Sequence, residues 1–328
     1  MKIIYRLLLT LFLIFFSVDA FAQLTIYSGR SKALVDPVIA KFEEETGINV
    51  RIRYGGTTQL AVAIMEEGRR SPADVFWGQD GGALGALHNE SLLTNLPSSI
   101  TNSLPESFKN NANTWVATSG RARVLAYNVN RVSADQLPKS IFDLANPQWK
   151  GKIGWSPANA SFQSFVTAMR KSLGEDVTRQ WLLDVQANGA VSYNNNNSII
   201  QAIAAGEVEI GITNHYYIER LRNDNPNYVV DMTFFTDSDI GNMLNVAGAG
   251  VLESSRNKQN AYRFIEFLLS PEIQRYFLNE TFEYPVISGM GEQDEKLIQV
   301  LEVSPNMDLE LLSDLEETLR LLRITGLL

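Results

Sequence analysis

From Leu24 onward the chain alternates short strands with apolar-periodic helices, and this alternation constrains the fold more than any other feature. Leu24-Thr25-Ile26-Tyr27 reads as a strand and Ser28-Gly29-Arg30 as a turn. Leu34, Val38, Ile39 and Phe42 then form the apolar face of a helix that Gly47 ends. Residues 48–54 alternate as the next strand, which makes a β-α-β unit and predicts a mainly parallel sheet. A second helix over 58–67 stops at Gly68, and Ala73-Asp74-Val75-Phe76-Trp77 is a short buried strand running into Gly78-Gln79-Asp80-Gly81-Gly82. The order returns with strand Ile153-Gly154-Trp155, helix 162–172, strand 190–193, helix 199–205 and strand Ile210-Gly211-Ile212. Two such runs predict an α/β protein of two doubly wound lobes.

Residues 121–127 read as a long strand between the lobes, and Val246-Ala247-Gly248-Ala249-Gly250-Val251 is small and extended enough to be the returning connection. Two crossings, near Arg123 and Ala247, make a hinge. The expected division is 23–121 plus 249–290 for one lobe and 122–248 plus 291–328 for the other. Helices over 259–269 and 271–278, a loop at Pro285 and a closing helix over 309–322 complete the chain. Ligands of open α/β sheets bind beyond the carboxyl ends of the strands, where successive connections diverge. That rule singles out residues 28–32, 78–80, 156–161, 193–198 and 214–217.

Residues 1–22 are set apart from the fold. Lys2 supplies a positive start, an apolar stretch interrupted by Arg6 reaches Phe16, and Ala20-Phe21-Ala22 precedes Gln23 as a cleavage site, the pattern of a secretory signal peptide. That stretch is shorter than the roughly 20 residues a membrane-spanning helix needs, and no other apolar run approaches that length. The chain has no cysteine, which excludes a disulfide framework, a thiolate metal site and a lipid-carrying cysteine together. An exported chain without lipid or wall anchor is retained only behind an outer membrane, so the expected location is a periplasm. Cleavage removes Lys2, Arg6 and Asp19 and moves the formal charge from -9 to -10, against a nucleic-acid role. The about 300 remaining residues exceed one comfortable core and point to two domains. Two histidines, no cysteine and no Gly-x-Ser-x-Gly, phosphate-loop or dinucleotide motif leave nothing that reads as an enzyme.

Six segments carry a resemblance: Tyr27-Ser28-Gly29-Arg30, Ser71-Pro72-Ala73-Asp74-Val75, Ser119-Gly120-Arg121-Ala122-Arg123-Val124, Asn146-Pro147-Gln148-Trp149-Lys150-Gly151, Asn214-His215-Tyr216-Tyr217 and Glu283-Tyr284-Pro285-Val286. In this order, through nearly the whole mature chain, they resemble the ferric-ion-binding proteins of bacterial ABC importers, a type II periplasmic-binding-protein family. The resemblance implies a monomer that captures Fe(III) as cargo, delivers it to the permease of an ABC importer in the inner membrane, and has no enzymatic activity. It implies that Tyr216 and Tyr217 bind Fe(III) as phenolates, an assignment that suits a hard cation able to deprotonate a phenol of ordinary pKa about 10.

The sequence departs from better-known members at three places: Ser31 stands where many have histidine, Gln79 where some have glutamate, and the 158–162 segment lacks a tyrosine that some use. Two phenolates leave Fe(III) with open positions. The resemblance implies a small anion such as carbonate there; Arg30 and Arg121, at positions expected to face the cleft from opposite sides, are its candidate guanidinium partners, and Asn159, Ser161 and Asn214 are candidate neutral donors. Tyr193 and Gln79 are the next candidates for the metal, although a packed strand-end aromatic is the plainer reading of Tyr193. His215, on a strand-like step, would point away from Tyr216 into a supporting role, and His88 sits in a helix surface pattern. The competing reading is the same fold binding a small oxyanion, a phosphonate or a polyamine. The adjacent tyrosines discriminate against it, because an anion site has no use for them.

Overall fold

The computed structural model describes residues 23–236, 238–290, 300–305 and 309–328, so the expected signal peptide over 1–22 lies outside the described residues. β1 (Leu24–Ser28) leads into α1 (Lys32–Thr46), which buries Val35, Val38, Ile39 and Phe42. Gly47 ends α1 at φ 69°, the left-handed conformation in which glycine has no Cβ penalty, and donates to the Glu43 carbonyl. β2 (Val50–Tyr54) pairs parallel to β1, α2 (Thr57–Glu67) follows, and β3 (Val75–Gly78) pairs parallel to β1 on its other side. α3 (Gly81–Asn89) then starts on Asp80, whose side chain accepts from the Ala83 N–H.

β4 (Trp115–Asn128) is longer than the sequence pattern indicated, and all but one of its fourteen residues are buried. Beyond it come β5 (Ile153–Trp155), α4 (Ala160–Leu173), α5 (Glu175–Ala187), β6 (Val191–Ser192), α6 (Asn196–Ala205), β7 (Ile210–Asn214) and α7 (His215–Asp224). β8 (Val230–Thr233), absent from the sequence reading, pairs with β4 and is followed by β9 (Leu244–Val251). α8 (Lys258–Leu268) and α9 (Pro271–Tyr276) follow, the latter continued by a π-helical turn over Phe277–Thr281. The closing segment is a 3-10 turn (Leu309–Ser313) and α10 (Leu315–Ile324), so the single helix expected over 309–322 is interrupted at Asp314.

The strand order is β2-β1-β3-β9-β4-β7-β5-β6. Parallel pairing is confined to β2-β1-β3 and β7-β5-β6, and β9 and β4 join these halves antiparallel. The sheet is therefore less parallel than predicted, because the connecting strands run against both halves. β4 pairs with β9 from Trp115 to Ala122 and with β7 from Arg123 to Tyr127, with a register shift between Ala117 and Ser119. Each half has its own aromatic cluster: Phe42, Trp77, Phe264 and Phe277 in one, Trp155, Phe162, Phe165 and Trp181 in the other, all in edge-on contacts.

The halves also touch. Thr58 donates to Gln163 at 2.9 Å, and Ser164 donates to Asp80 at 2.9 Å. The closing segment lies on both α3 and α4: Leu312 and Ser313 approach the glycines of α3, while Asp314 pairs with Arg170 and Lys171 of α4.

Candidate metal centre

Tyr216 and Tyr217 occupy the first turn of α7, directly beyond the carboxyl end of β7. Their rings lie 4.2 Å apart at 34°, Tyr216 fully buried and Tyr217 half-buried. From the opposite half, the Gln79 amide at the end of β3 donates to the Tyr216 hydroxyl at 3.3 Å. The turn carrying Gln79 is held by Thr57, whose hydroxyl accepts from the Gln79 N–H and donates to the Gly29 carbonyl. A Cβ on Gly29 would fall 2.7 Å from the Thr57 Cα, so this close approach needs glycine. Two of the sequence candidates, 137 positions apart in the chain, are thus in contact.

Burial, followed by the neighbouring Tyr217, holds the Tyr216 phenol well above its ordinary range, against an opposing pull from Arg121. In the absence of a cation Tyr216 is therefore a neutral phenol. A highly charged metal ion inverts that balance, since it stabilises the phenolate directly.

Arg121 has no exposed surface, and its Nε, Nη1 and Nη2 have no hydrogen-bond partner among the described residues. Asn245, its cross-strand neighbour on β9, leaves its Nδ2 equally unpartnered, as Arg123 does its Nε. Residues 121 and 123 share one face of β4, so two guanidinium groups are buried side by side. Burial and Arg121 together push Arg123 down to about 9. Unsatisfied buried donors carry a desolvation cost that an oxyanion ligand would remove.

Arg30 is placed differently from the sequence reading. Its Nη2 is 2.6 Å from Glu283 and its Nη1 donates to Ser119, while the guanidinium lies over Trp77 and Phe277. The ion pair, buried on both sides, engages the group that was expected to meet an anion, so of the two arginines only Arg121 is unengaged. Burial alone would raise the Glu283 pKa, but Arg30, Ser119 and Arg121 outweigh it and hold the carboxyl below its ordinary range.

Asn159, Ser161 and Asn214 do come together. Asn214 donates to the Ser161 hydroxyl at 3.4 Å, and that hydroxyl donates to Asn159, which caps α4. Arg123 binds the Ser161 carbonyl, tying the trio to β4. Tyr193 is engaged elsewhere: its hydroxyl lies 3.4 Å from Glu207, and burial with that carboxylate raises its pKa. Ser31 is exposed at the start of α1. His215 opens a helix rather than continuing a strand. Its Nδ1 accepts from the Ala122 N–H, so the proton sits on Nε2 and is donated to the Phe282 carbonyl. Burial pushes it down to about 4, which keeps the ring neutral. His88 bonds the Thr114 hydroxyl.

Glu283, Arg123 and Asn245 were assigned no role from sequence. For Arg123 a signal existed: arginines two residues apart in an otherwise apolar strand share a face, and a buried face at that. Glu283 offers no such signal, because its partner is Arg30, 253 positions away.

Two lobes joined by crossing strands, with polar groups converging between the strand ends, define a solute-binding protein of the type II periplasmic-binding class. The chain belongs to the family described as bacterial extracellular solute-binding protein, whose profile it matches over residues 70–304. It is 34% identical over 319 residues to the major ferric iron-binding protein of Neisseria meningitidis serogroup A, covering 94% of each chain. It is 31% identical to the Fe(3+)-binding periplasmic protein of Serratia marcescens, covering 93% of this chain and 90% of that one. Iron-bound HitA from Pseudomonas aeruginosa superposes with a TM-score of 0.87 at 33% identity, over 93% of this chain and 99% of that one.

Proposed function

We propose that this chain captures Fe(III) in the cleft between its lobes, with Tyr216 and Tyr217 as phenolate ligands, and delivers it to the permease of an ABC importer from the periplasm. The observation that carries the reading is the tyrosine pair: adjacent phenols, one buried and neutral, in tilted ring contact beside a buried arginine. Relatives whose names record ferric iron binding support it. Among the described residues no helix is long and apolar enough to cross a membrane. Each phenol that coordinates gives up its proton, Gln79 reaches the same hydroxyl from the other lobe, and the ligand thereby favours the closed arrangement.

The rest of the iron shell comes in part from outside. Arg121, with Asn245 and Arg123 beside it, offers its unpartnered donors to a small anion such as carbonate, and the Asn159-Ser161-Asn214 trio lines the neighbouring wall. The same donors favour a second reading, an oxyanion receptor without iron, which leaves the paired phenols without a purpose. One experiment separates the two. On adding Fe(III) the purified protein should develop a visible phenolate-to-iron charge-transfer band that Tyr216→Phe and Tyr217→Phe each diminish. Iron affinity should fall in carbonate-depleted buffer, recover with bicarbonate in the parent, and fail to recover in Arg121→Ala. A colourless parent that binds phosphate or carbonate tightly would establish the second reading instead.

A further inference from the structure

The first turn of α7 presents the two phenols, yet no side-chain cap closes that turn. The first N–H groups of any helix lack intrahelical partners, and Asn214 at the cap position makes no side-chain bond to them. The turn is fixed instead by the residue that opens it. The His215 ring is 1% exposed and uses both nitrogens: Nδ1 accepts from the Ala122 N–H at 3.1 Å, and Nε2 donates to the Phe282 carbonyl at 2.7 Å. One ring face stacks on Tyr284 at 4.3 Å and 5°, and Tyr216 stands edge-on at 5.8 Å and 88°.

The three anchors belong to the crossing region. Ala122 is the last residue of β4 paired with β9, immediately before β4 begins to pair with β7. Tyr284 is held to β4 by reciprocal backbone bonds with Gly120, at 2.8 and 2.9 Å. Phe282 has φ 58°, a left-handed conformation that costs a non-glycine residue about 1 kcal/mol or more and persists only where its surroundings impose it. Its carbonyl meets the imidazole. A planar ring with one acceptor and one donor on opposite sides spans this gap, and no other aromatic side chain carries both on separate ring atoms.

We propose that His215 is a positioning residue for the metal site: a strut that ties the phenolate-bearing turn of α7 to the crossing strand β4 and to residues 282–284, so that the hinge sets the orientation of Tyr216. The proposal rests on Tyr216 and Tyr217 being the Fe(III) ligands. Partners that orient metal ligands typically change affinity by 10- to 100-fold when removed.

The test loads the full mature protein with Fe(III) supplied as ferric nitrilotriacetate. His215→Phe keeps a stacked ring, slightly larger than the imidazole, and deletes both hydrogen bonds; His215→Asn keeps an acceptor for Ala122 and loses the reach to Phe282. The expected result is a shifted or weakened charge-transfer band in both variants, with iron release to a chelator about tenfold faster or more in the phenylalanine variant and intermediate in the asparagine variant. A purely packing role would change thermal stability and leave band position and release rate alone. If the parent has the band, Tyr216→Phe loses it, and either folded His215 variant matches the parent in band and release, the strut is refuted while the iron site stands. If the parent shows no band, the iron reading itself fails, and the proposal with it. Should His215→Phe not fold, the asparagine variant decides.

Discussion

Replacing Glu283 with glutamine tests how much of this architecture rests on one buried ion pair. Arg30 and Glu283 meet at 2.6 Å with both side chains 2% exposed, and Ser119 donates to the same carboxylate oxygen at 2.6 Å. Glu283 is ionised at neutral pH, since Arg30, Ser119 and Arg121 overcome the effect of burial. Glutamine preserves the volume and one acceptor but leaves the Arg30 cation buried without its counter-charge, and removes the negative charge that Glu283 places near Arg121. Losing one partner of a buried pair costs about 3–5 kcal/mol, far more than the 0–1 kcal/mol typical of exposed pairs. At the ~2–4 °C per kcal/mol expected of a chain this long, Tm should drop by roughly 6–20 °C. Urea unfolding should show a lower midpoint at unchanged slope, and the loss should hardly vary with salt, because a buried pair is screened little. The double replacement Arg30→Met with Glu283→Gln should recover much of the loss, since removing both charges removes the uncompensated one. A loss below about 1 kcal/mol, or a double variant as unstable as the two singles summed, would refute the reasoning.

Gly85→Ala sets helix propensity against packing. Alanine in a helix interior gains about 1 kcal/mol over glycine, but the new Cβ would lie 2.6 Å from the Ser313 Cβ and 2.7 Å from its Cα, so the closing segment must move off α3. Overpacking of about 1–3 kcal/mol should win, shown as a lower Tm and weaker iron binding; a variant more stable than the parent would show that the segment yields freely. pH acts on both forms of the protein. Because Tyr216 starts as a neutral phenol, iron affinity should fall about tenfold per unit of acidification for each phenol deprotonated on binding, and a pH-independent affinity would contradict phenolate ligation. In the iron-free protein His215 sits at about 4 against roughly 6.5 when unfolded, so the unfolded chain binds more protons between those values. Stability present above about pH 6.5 should be lost progressively down to pH 4, by about 3 kcal/mol from this group, and the depressed Glu283 extends the loss below its ordinary pKa.

The alternation of strand and helix was legible because a period of two and a period near 3.6 are local properties, written in residues a few positions apart. Ser28-Gly29-Arg30, Gly78-Gln79-Asp80 and Asn214-His215-Tyr216-Tyr217 follow from the same rule, since post-strand turns are where a doubly wound sheet exposes its ligand groups. Even so, local periodicity misjudged the start of α7: nothing near His215 marks a helix, and what holds the turn comes from Ala122 and Phe282. Arg30 and Arg121 looked equivalent in sequence, two arginines beside small polar residues. Only the fold separates them, because whether a guanidinium is neutralised depends on a carboxylate brought from 253 positions away, and that distance is closed by packing rather than by any pattern in the neighbouring residues.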